Sequence, residues 1–414
     1  MSQPYSVTDQ LYLWYLGQPA QPRLVGELNL VLSGRGVSLR YAPDWLERGF
    51  PLSEDLPLLD MEHLPRSKDV AAGAVDDARP DRWGERVIRL LERPPRLSVL
   101  EMLYFAGDSR FGALGVSTSA TAYQPHRCPA LPTLADVNAV HQLVQQVLNG
   151  QQIEEAQRRL IAPGATMGGA RPKAVVQIDG AEWVLKFAEE RHSYEPLVEH
   201  AAMTLAAQAG ITVAETRPIP LQHGFAVAVK RFDRLESVTS MPALRCHALS
   251  ANVALQAAGV ALSYPNLAQL LRRRGVLENN LYQTQMHELF RRMVFNILLD
   301  NTDDHEKNHV LLVTDAHQYA LAPAFDVLPT GQALGYQALE VGTKGAVSSL
   351  ENALSMCRAF GLTPAAARAE IARVIAVVNS WQAHFAACGV PAPVIGQLVA
   401  QIDRPYLLQQ RQVQ

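Results

Sequence analysis

Cysteine is scarce. Only Cys128, Cys246, Cys357 and Cys388 occur in 414 residues, scattered and without a C-x-x-C pair. That spacing indicates neither a disulfide framework nor a cysteine-based zinc site. No run approaches the ~20 apolar residues that a bilayer-spanning helix needs. The first residues, MSQPYSVTDQLYLWYLGQPAQ, lack a basic region and hold too short an apolar run for a signal peptide. No basic excess exists either: 37 Lys and Arg stand against 40 Asp and Glu, a net charge of −3. Strong non-specific binding of nucleic acid by this chain alone is therefore not expected. Repeats and biased tracts are absent. With 48% hydrophobic and 19% charged residues, the expectation is a soluble, cytoplasmic protein without membrane contact, large enough for two or three cores.

The chain opens with β-type segments. QLYLWYLGQ, RLVGELNLVL and GVSLRYA are short runs parted by Gly and Pro signals. A helix is expected over RPDRWGERVIRLLER, with Trp83, Val87, Ile88 and Leu91 on one face. Residues 119–132, with three prolines, suggest a boundary, and a helix is expected from Leu134 to about Ile161. AVVQI and EWVLKF flank Asp179-Gly180, a hairpin signal. A helix over Glu195–Gln208 stops at Gly210, and two strands surround His223-Gly224. Beyond Asp233 the chain is mainly helical, with amphipathic stretches near 265–274, 285–300, 349–360, 364–387 and 393–409, broken by a hairpin at HVLLV-TDAHQ-YALAPAFDV. The expected division is 1–130, 131–235 and 236–414.

Residues 305–309, HEKNH, match the H-E-x-x-H zinc signature. That signature needs one helix turn to bring both histidines to a single metal. Here DNTDD precedes it and four apolar residues of strand character follow, a context for a loop. A capping box from Asp303 to Glu306 would start a short helix, which keeps a zinc hydrolase among the alternatives. Shifted by two residues, the same stretch carries Asp303 and Asn308 at the D-x-x-x-x-N spacing of a protein-kinase catalytic loop. In such a loop the aspartate handles the proton of the attacking hydroxyl and the asparagine oxygen holds Mg²⁺. A helix precedes the loop, and the hairpin after it ends near Asp326, a candidate second metal ligand.

The upstream half of a kinase has counterparts in order. TMGGARPK, Thr166 to Lys173, places Gly168 and Gly169 before a strand, where backbone N–H groups can approach phosphates. It is neither a Walker A nor a G-x-G-x-x-G loop. Lys186 on the next strand suits phosphate neutralisation, and Glu199 in the following helix suits the partner of that lysine. Taken alone, the glycines are a turn, Lys186 an edge-strand lysine, Glu199 an exposed charge and Asp326 a cap. Order and spacing together favour the kinase.

PDRWGERVI, FGALGVS, GGARPKA, LKF, EHAAMTLAAQAGI, VKRFDR, NTDDHEKNH and LAPAFDVLP resemble, in order, segments of the HipA family, kinase toxins of bacterial type II toxin–antitoxin modules. The resemblance implies an α+β, two-lobe protein-kinase-like fold with a small β-rich N-lobe and a helical C-lobe, preceded by a β-rich N-terminal module. It implies ATP and Mg²⁺ as cofactors, Asp303 as the catalytic aspartate, Asn308 and Asp326 as metal ligands, and Lys186 as the ATP-phosphate lysine. His305 would lie near the γ-phosphate. Gly168, Gly169, Ala170 and Lys173 belong to the loop at the nucleotide, and Lys230, Arg231 and Phe232 to the segment beside the adenine. Two departures stand out. Thr166 occupies the place of the family's autophosphorylated serine, and Lys230 that of a glutamate beside the adenine. The family phosphorylates seryl or threonyl hydroxyls, aminoacyl-tRNA synthetases among them. It pairs with a small helix-turn-helix antitoxin, HipB-like, that carries it to operator DNA. A small-molecule kinase and a catalytically degenerate antitoxin-binding corepressor are the alternatives.

Overall fold

Each of the first three β-type segments has one apolar face to bury, and the three pair antiparallel for that reason. A computed structural model describes residues 6–126, 130–151, 153–154, 157, 160–164, 169, 171–189, 194–235, 243–330 and 332–412. Strands β1 (Gln10–Tyr15), β2 (Arg23–Val31) and β3 (Gly36–Tyr41) form the centre of a sheet. Leu11, Leu13, Val25, Leu28, Val37 and Leu39 are fully buried beneath it. Gly26 is required where β2 crosses β3, since a Cβ there would lie 2.1 Å from the Arg40 carbonyl oxygen. After helix α1 (Pro43–Arg48), short β4 (Glu62–His63) and β5 (Val70–Ala71) both pair with β3. Helices α2 (Arg82–Leu91) and α3 (Val99–Phe105) follow, and β6 (Leu114–Ser117) closes the sheet against β1.

Helix α4 (Val137–Leu148) is shorter than expected, because Gly150 takes a left-handed φ of 65° just past its end. The hairpin β7 (Lys173–Ile178) and β8 (Ala181–Phe187) turns at Asp179 and Gly180, both at positive φ as a type I′ turn requires. The chain contains two compact units: Met1–Phe187 with Lys230–Leu249, and Ala188–Val229 with Ser250–Gln414. This grouping differs from the three expected segments. The β7–β8 hairpin belongs with the N-terminal sheet, and particular bonds explain why. The Trp83 indole N–H donates to the Lys173 carbonyl at 2.8 Å, and Lys173 Nζ pairs with Asp81 at 2.7 Å, both side chains being 5% exposed.

In the second unit, α5 (Glu195–Gln208) and β9 (Thr216–Pro220) lead into β10 (Phe225–Lys230). The chain then returns to the first unit for β11 (Arg234–Leu235), β12 (Leu244–Arg245) and β13 (His247–Ser250). Helices α6 (Ala251–Ala257), α7 (Tyr264–Arg274) and α8 (Leu281–Leu298) follow. The expected face of α8 is the buried one: Leu289, Phe290, Met293, Val294, Ile297 and Leu298 are all 0% exposed. The hairpin β14 (Val310–Val313) and β15 (Tyr319–Leu321) comes next. Two of the expected amphipathic stretches are each two helices. Residues 364–387 divide into α10 (Pro364–Val378) and α11 (Trp381–Ala387), after α9 (Leu350–Ser355). Residues 393–409 divide into α12 (Ala392–Ile402) and α13 (Pro405–Gln412), where Pro405 cannot continue a helix but can begin one. Among the described residues no helix is long and apolar enough to cross a membrane.

Candidate active site

The site begins where α8 ends. Leu299 caps the helix, Asp300 follows at φ 58°, and the Asn301 N–H reaches back to the Asn296 carbonyl at 2.9 Å. This is a Schellman stop with aspartate at the left-handed position usually held by glycine. The Thr330 N–H and hydroxyl both donate to the Asp300 carbonyl at 3.1 Å. The buried Asp300 carboxyl lies 2.9 Å from Arg404, near enough for an ion pair although neither oxygen meets hydrogen-bond geometry. Burial, only partly opposed by Arg404, raises that carboxyl above the ordinary aspartate value.

Beyond this stop, residues 303–309 form a loop around a single 3-10 turn, Glu306–Asn308. Asp303 is exposed, and its carbonyl accepts the His305 N–H at 2.8 Å and the Asn308 side-chain N–H at 3.3 Å. With its amide nitrogen so engaged, Asn308 leaves Oδ1 buried with no partner among the described residues. His305 caps the turn through Nδ1, which accepts the Lys307 N–H at 3.3 Å. The expected Asp303–Glu306 capping box is replaced by this histidine cap. HEKNH is not a turn of α-helix, and His309 is directed elsewhere, so the zinc arrangement is absent from the loop.

The residue next to Asp303 faces the opposite way. Asp304 is buried, and its Oδ2 accepts from Asn296 Nδ2 at 2.7 Å, from His309 Nε2 at 2.8 Å, and from the Tyr264 hydroxyl. Burial alone would raise this carboxyl, but His309, Tyr264 and His305 outweigh it and hold Asp304 below its ordinary value. Burial first, then Asp304, keeps Tyr264 protonated and a donor. Sequence reasoning missed this group of four. The D-D doublet was its only trace, because neighbouring residues of one loop can face solvent and core in turn.

Asp326 follows the β14–β15 hairpin. The chain before it is pinned by the Ala214 N–H donating to the Ala324 carbonyl at 2.9 Å and the Ala324 N–H donating to the Thr212 carbonyl at 2.8 Å. Buried Val327 and Leu328 anchor the chain after it, and Asp326 itself sits half-buried at φ 59°. A left-handed conformation at a non-glycine residue persists only where its surroundings impose it. Glu199, on α5 of the same unit, is 2% exposed rather than a solvated charge.

In the first unit, Lys173 and Lys186 stand directly opposite each other across β7 and β8. Like charges in that register repel unless anions lie nearby, and Asp81 supplies one for Lys173. Gly169 has φ 98°, and a Cβ there would lie 3.0 Å from Lys173 Nζ. Thr166, Gly168 and Ala170 lie outside the described residues. Phe232 is half-buried with an edge contact to Phe111 at 5.6 Å, and Lys230 is half-buried at the end of β10.

Arg231 has a different place from the one expected beside a nucleotide. Its Nε and Nη2 clasp Asp233 at 2.9 and 2.7 Å. Its Nη1 reaches the Ser109 carbonyl and Glu182, and Nη2 also reaches the Arg110 carbonyl. Five contacts exhaust the five N–H donors of a guanidinium, and the side chain is 1% exposed. Arg231 is therefore a structural node and has no donor left for a ligand. Lys173 is likewise buried and ion-paired, to Asp81.

This mixed α/β chain, with a D-x4-N loop between a helix and a hairpin, has relatives. The family model described as the HipA-like C-terminal domain matches residues 165–381, just over half of the chain. The chain belongs to the HipA family. Over 164 residues it is 32% identical to Y4dM of Sinorhizobium fredii, a kinase by designation; the match spans 36% of this chain and 38% of that protein. Over 326 residues it is 23% identical to the serine/threonine-protein kinase toxin HipA of Shewanella oneidensis, spanning 70% of each. A solved Shewanella oneidensis MR-1 structure, of HipA with HipB and operator DNA, superposes with a TM-score of 0.66 at 18% identity. That superposition covers 98% of this chain and 100% of the other, and it establishes the shared fold.

Proposed function

We propose that this chain is an ATP- and Mg²⁺-dependent protein serine/threonine kinase, a HipA-type toxin. The observation that carries the reading is Asn308 Oδ1, a buried amide oxygen without a partner among the described residues, in the loop that also presents the exposed Asp303. An orphaned buried acceptor is costly unless something not yet bound satisfies it. An amide oxygen and an aspartate carboxylate are hard oxygen donors that suit a divalent cation, so the residue types present fit Mg²⁺. Asn308 and Asp326 would hold it, and when bound it would neutralise charge on the phosphates.

The remaining roles fall to side chains. Asp303 would accept the proton of a seryl or threonyl hydroxyl as its oxygen bonds to the γ-phosphorus and ADP leaves with the bridging oxygen. Lys186, at the cationic end of the β7–β8 hairpin, balances phosphate charge, and Gly169, which carries no side chain, is the proposed backbone contact of phosphate oxygens. Lys230 and Phe232 are the proposed contacts of the adenine, His305 a neighbour of the γ-phosphate, and Glu199 the carboxylate that orients Lys186. Thr166 is the proposed autophosphorylation site. The Shewanella complex with HipB and operator DNA supports a helix-turn-helix antitoxin as partner, with DNA reached through it. The proposed substrates are components of translation such as an aminoacyl-tRNA synthetase.

Transfer of label from γ-labelled ATP to protein tests the reading. Asp303→Ala and Asp326→Ala should each lower it by about 10²–10⁴-fold, while label appearing only on small molecules would overturn a protein substrate.

A further inference from the structure

We propose that Asp304 and His309 form a staple that fixes the catalytic loop, making Asp304 a positioning residue for Asp303 and Asn308. The inference rests on the kinase reading above. Asp303 and Asn308 each sit one residue before a member of the staple. The His309 Nε2–Asp304 Oδ2 bond of 2.8 Å closes residues 304–309 on themselves, so the two functional residues are held at its two ends. The closure is tied to the helices behind it. Asn296 of α8 and Tyr264 of α7 donate to the same oxygen, and Asn301 Nδ2 in turn holds the Asn296 amide oxygen at 3.1 Å. On the other side, the Ala251 N–H of α6 donates to the His309 carbonyl at 2.7 Å.

The orientation of His309 depends on this bond. Its Nδ1 is buried without a partner among the described residues, so Asp304 is the acceptor that sets the ring, with the Tyr264 ring edge-on at 5.3 Å. Asn308 has a similar economy: one bond, to the Asp303 carbonyl, aims its amide. If residue 304 lets go, the backbone on both sides of Asn308 loses a fixed point. The unpartnered Oδ1 then loses its direction. Misplacement of reacting groups by an ångström is enough to slow catalysis by about a hundredfold.

Three donors converge on one oxygen, which allows a conservative rescue. Asp304→Asn can keep an oxygen at that place, whereas Asp304→Ala cannot. For Asp304→Ala the expected result is a loss in kcat of about a hundredfold with KM for the protein substrate little changed. Asp304→Asn should recover most of that loss. Adding His309→Ala to Asp304→Ala should cost nothing further, because both act through one bond. Hydrogen exchange supplies a readout independent of activity. The His305 and Asn308 amides, bonded to the Asp303 and His305 carbonyls, should exchange about tenfold faster in Asp304→Ala, with the α10 amides unchanged.

Unchanged exchange in Asp304→Ala would overturn the staple, as would faster exchange with wild-type kcat, or additive losses in the double variant. A wild-type protein that transfers no phosphoryl group to any acceptor, yet shows Asp304-dependent exchange in this loop, would overturn the kinase reading and leave the staple as a structural closure only.

Discussion

Asp233 shows how far one carboxylate can organise its surroundings. It is 0% exposed and accepts from Arg231, from Arg234 Nη1 at 2.7 Å and from the Gly112 N–H at 2.8 Å. Burial alone would raise its carboxyl, but Arg231 and Arg234 outweigh burial and bring it down to about 2 from the usual 3.8. Because the folded value lies below the unfolded one, the stability it contributes is present above pH 3.8 and fades as pH falls towards 2. Replacing Asp233 by Ala leaves two buried guanidinium groups with only Glu182 as a carboxylate partner and should cost about 3–5 kcal/mol at neutral pH. In urea titrations, the gap between wild type and Asp233→Asn should narrow once the pH drops below about 4. A gap independent of pH would contradict this assignment. None of this was legible in KRFDR, since apart from Asp233 the partners of Arg231 and Arg234 lie at residues 109–112 and 182. The D-x4-N spacing was legible because both residues share one short loop.

Among the elements, α13 does more than bury Leu407. Buried Arg411 donates to Asp403 at 2.7 Å, to the Leu298 carbonyl at 3.2 Å and to the Ile402 carbonyl at 2.5 Å. Leu298 is the last residue of α8, so α13 closes the end of the helix that leads into the candidate catalytic loop. Arg411→Ala should lower the stability of the second unit by about 1.5–3 kcal/mol, measured by chemical denaturation. A change within about 0.5 kcal/mol would place Arg411 among ordinary surface residues. Local signals made other elements readable: Asp179-Gly180 for the hairpin, and the apolar periodicity of α8. The breaks at 379–380 and 403–404 were not, because an amphipathic stripe continues across a bend when both halves pack on one core.

At the scale of the whole molecule, a near-neutral charge of −3 fits the proposal that DNA is reached through a partner, and the proposed activity would act through translation. Controlled expression of the wild type should halt incorporation of labelled amino acids, and Asp303→Ala should not. Equal arrest by both would point to a mechanism other than phosphoryl transfer. The path of the chain carries a consequence for its synthesis. It leaves the first compact unit at Phe187 and returns to it for Lys230–Leu249. The returning segment supplies Arg231, Asp233, Arg234 and Arg245, which bind the Asp108–Gly112 loop. As the ribosome delivers residues in order, that loop emerges early and must wait with its carbonyls and the Gly112 N–H unmatched until residue 245 appears. A nascent chain ending at residue 187 would therefore be a candidate chaperone client, and no single cut in the gene would separate the two units with both left whole.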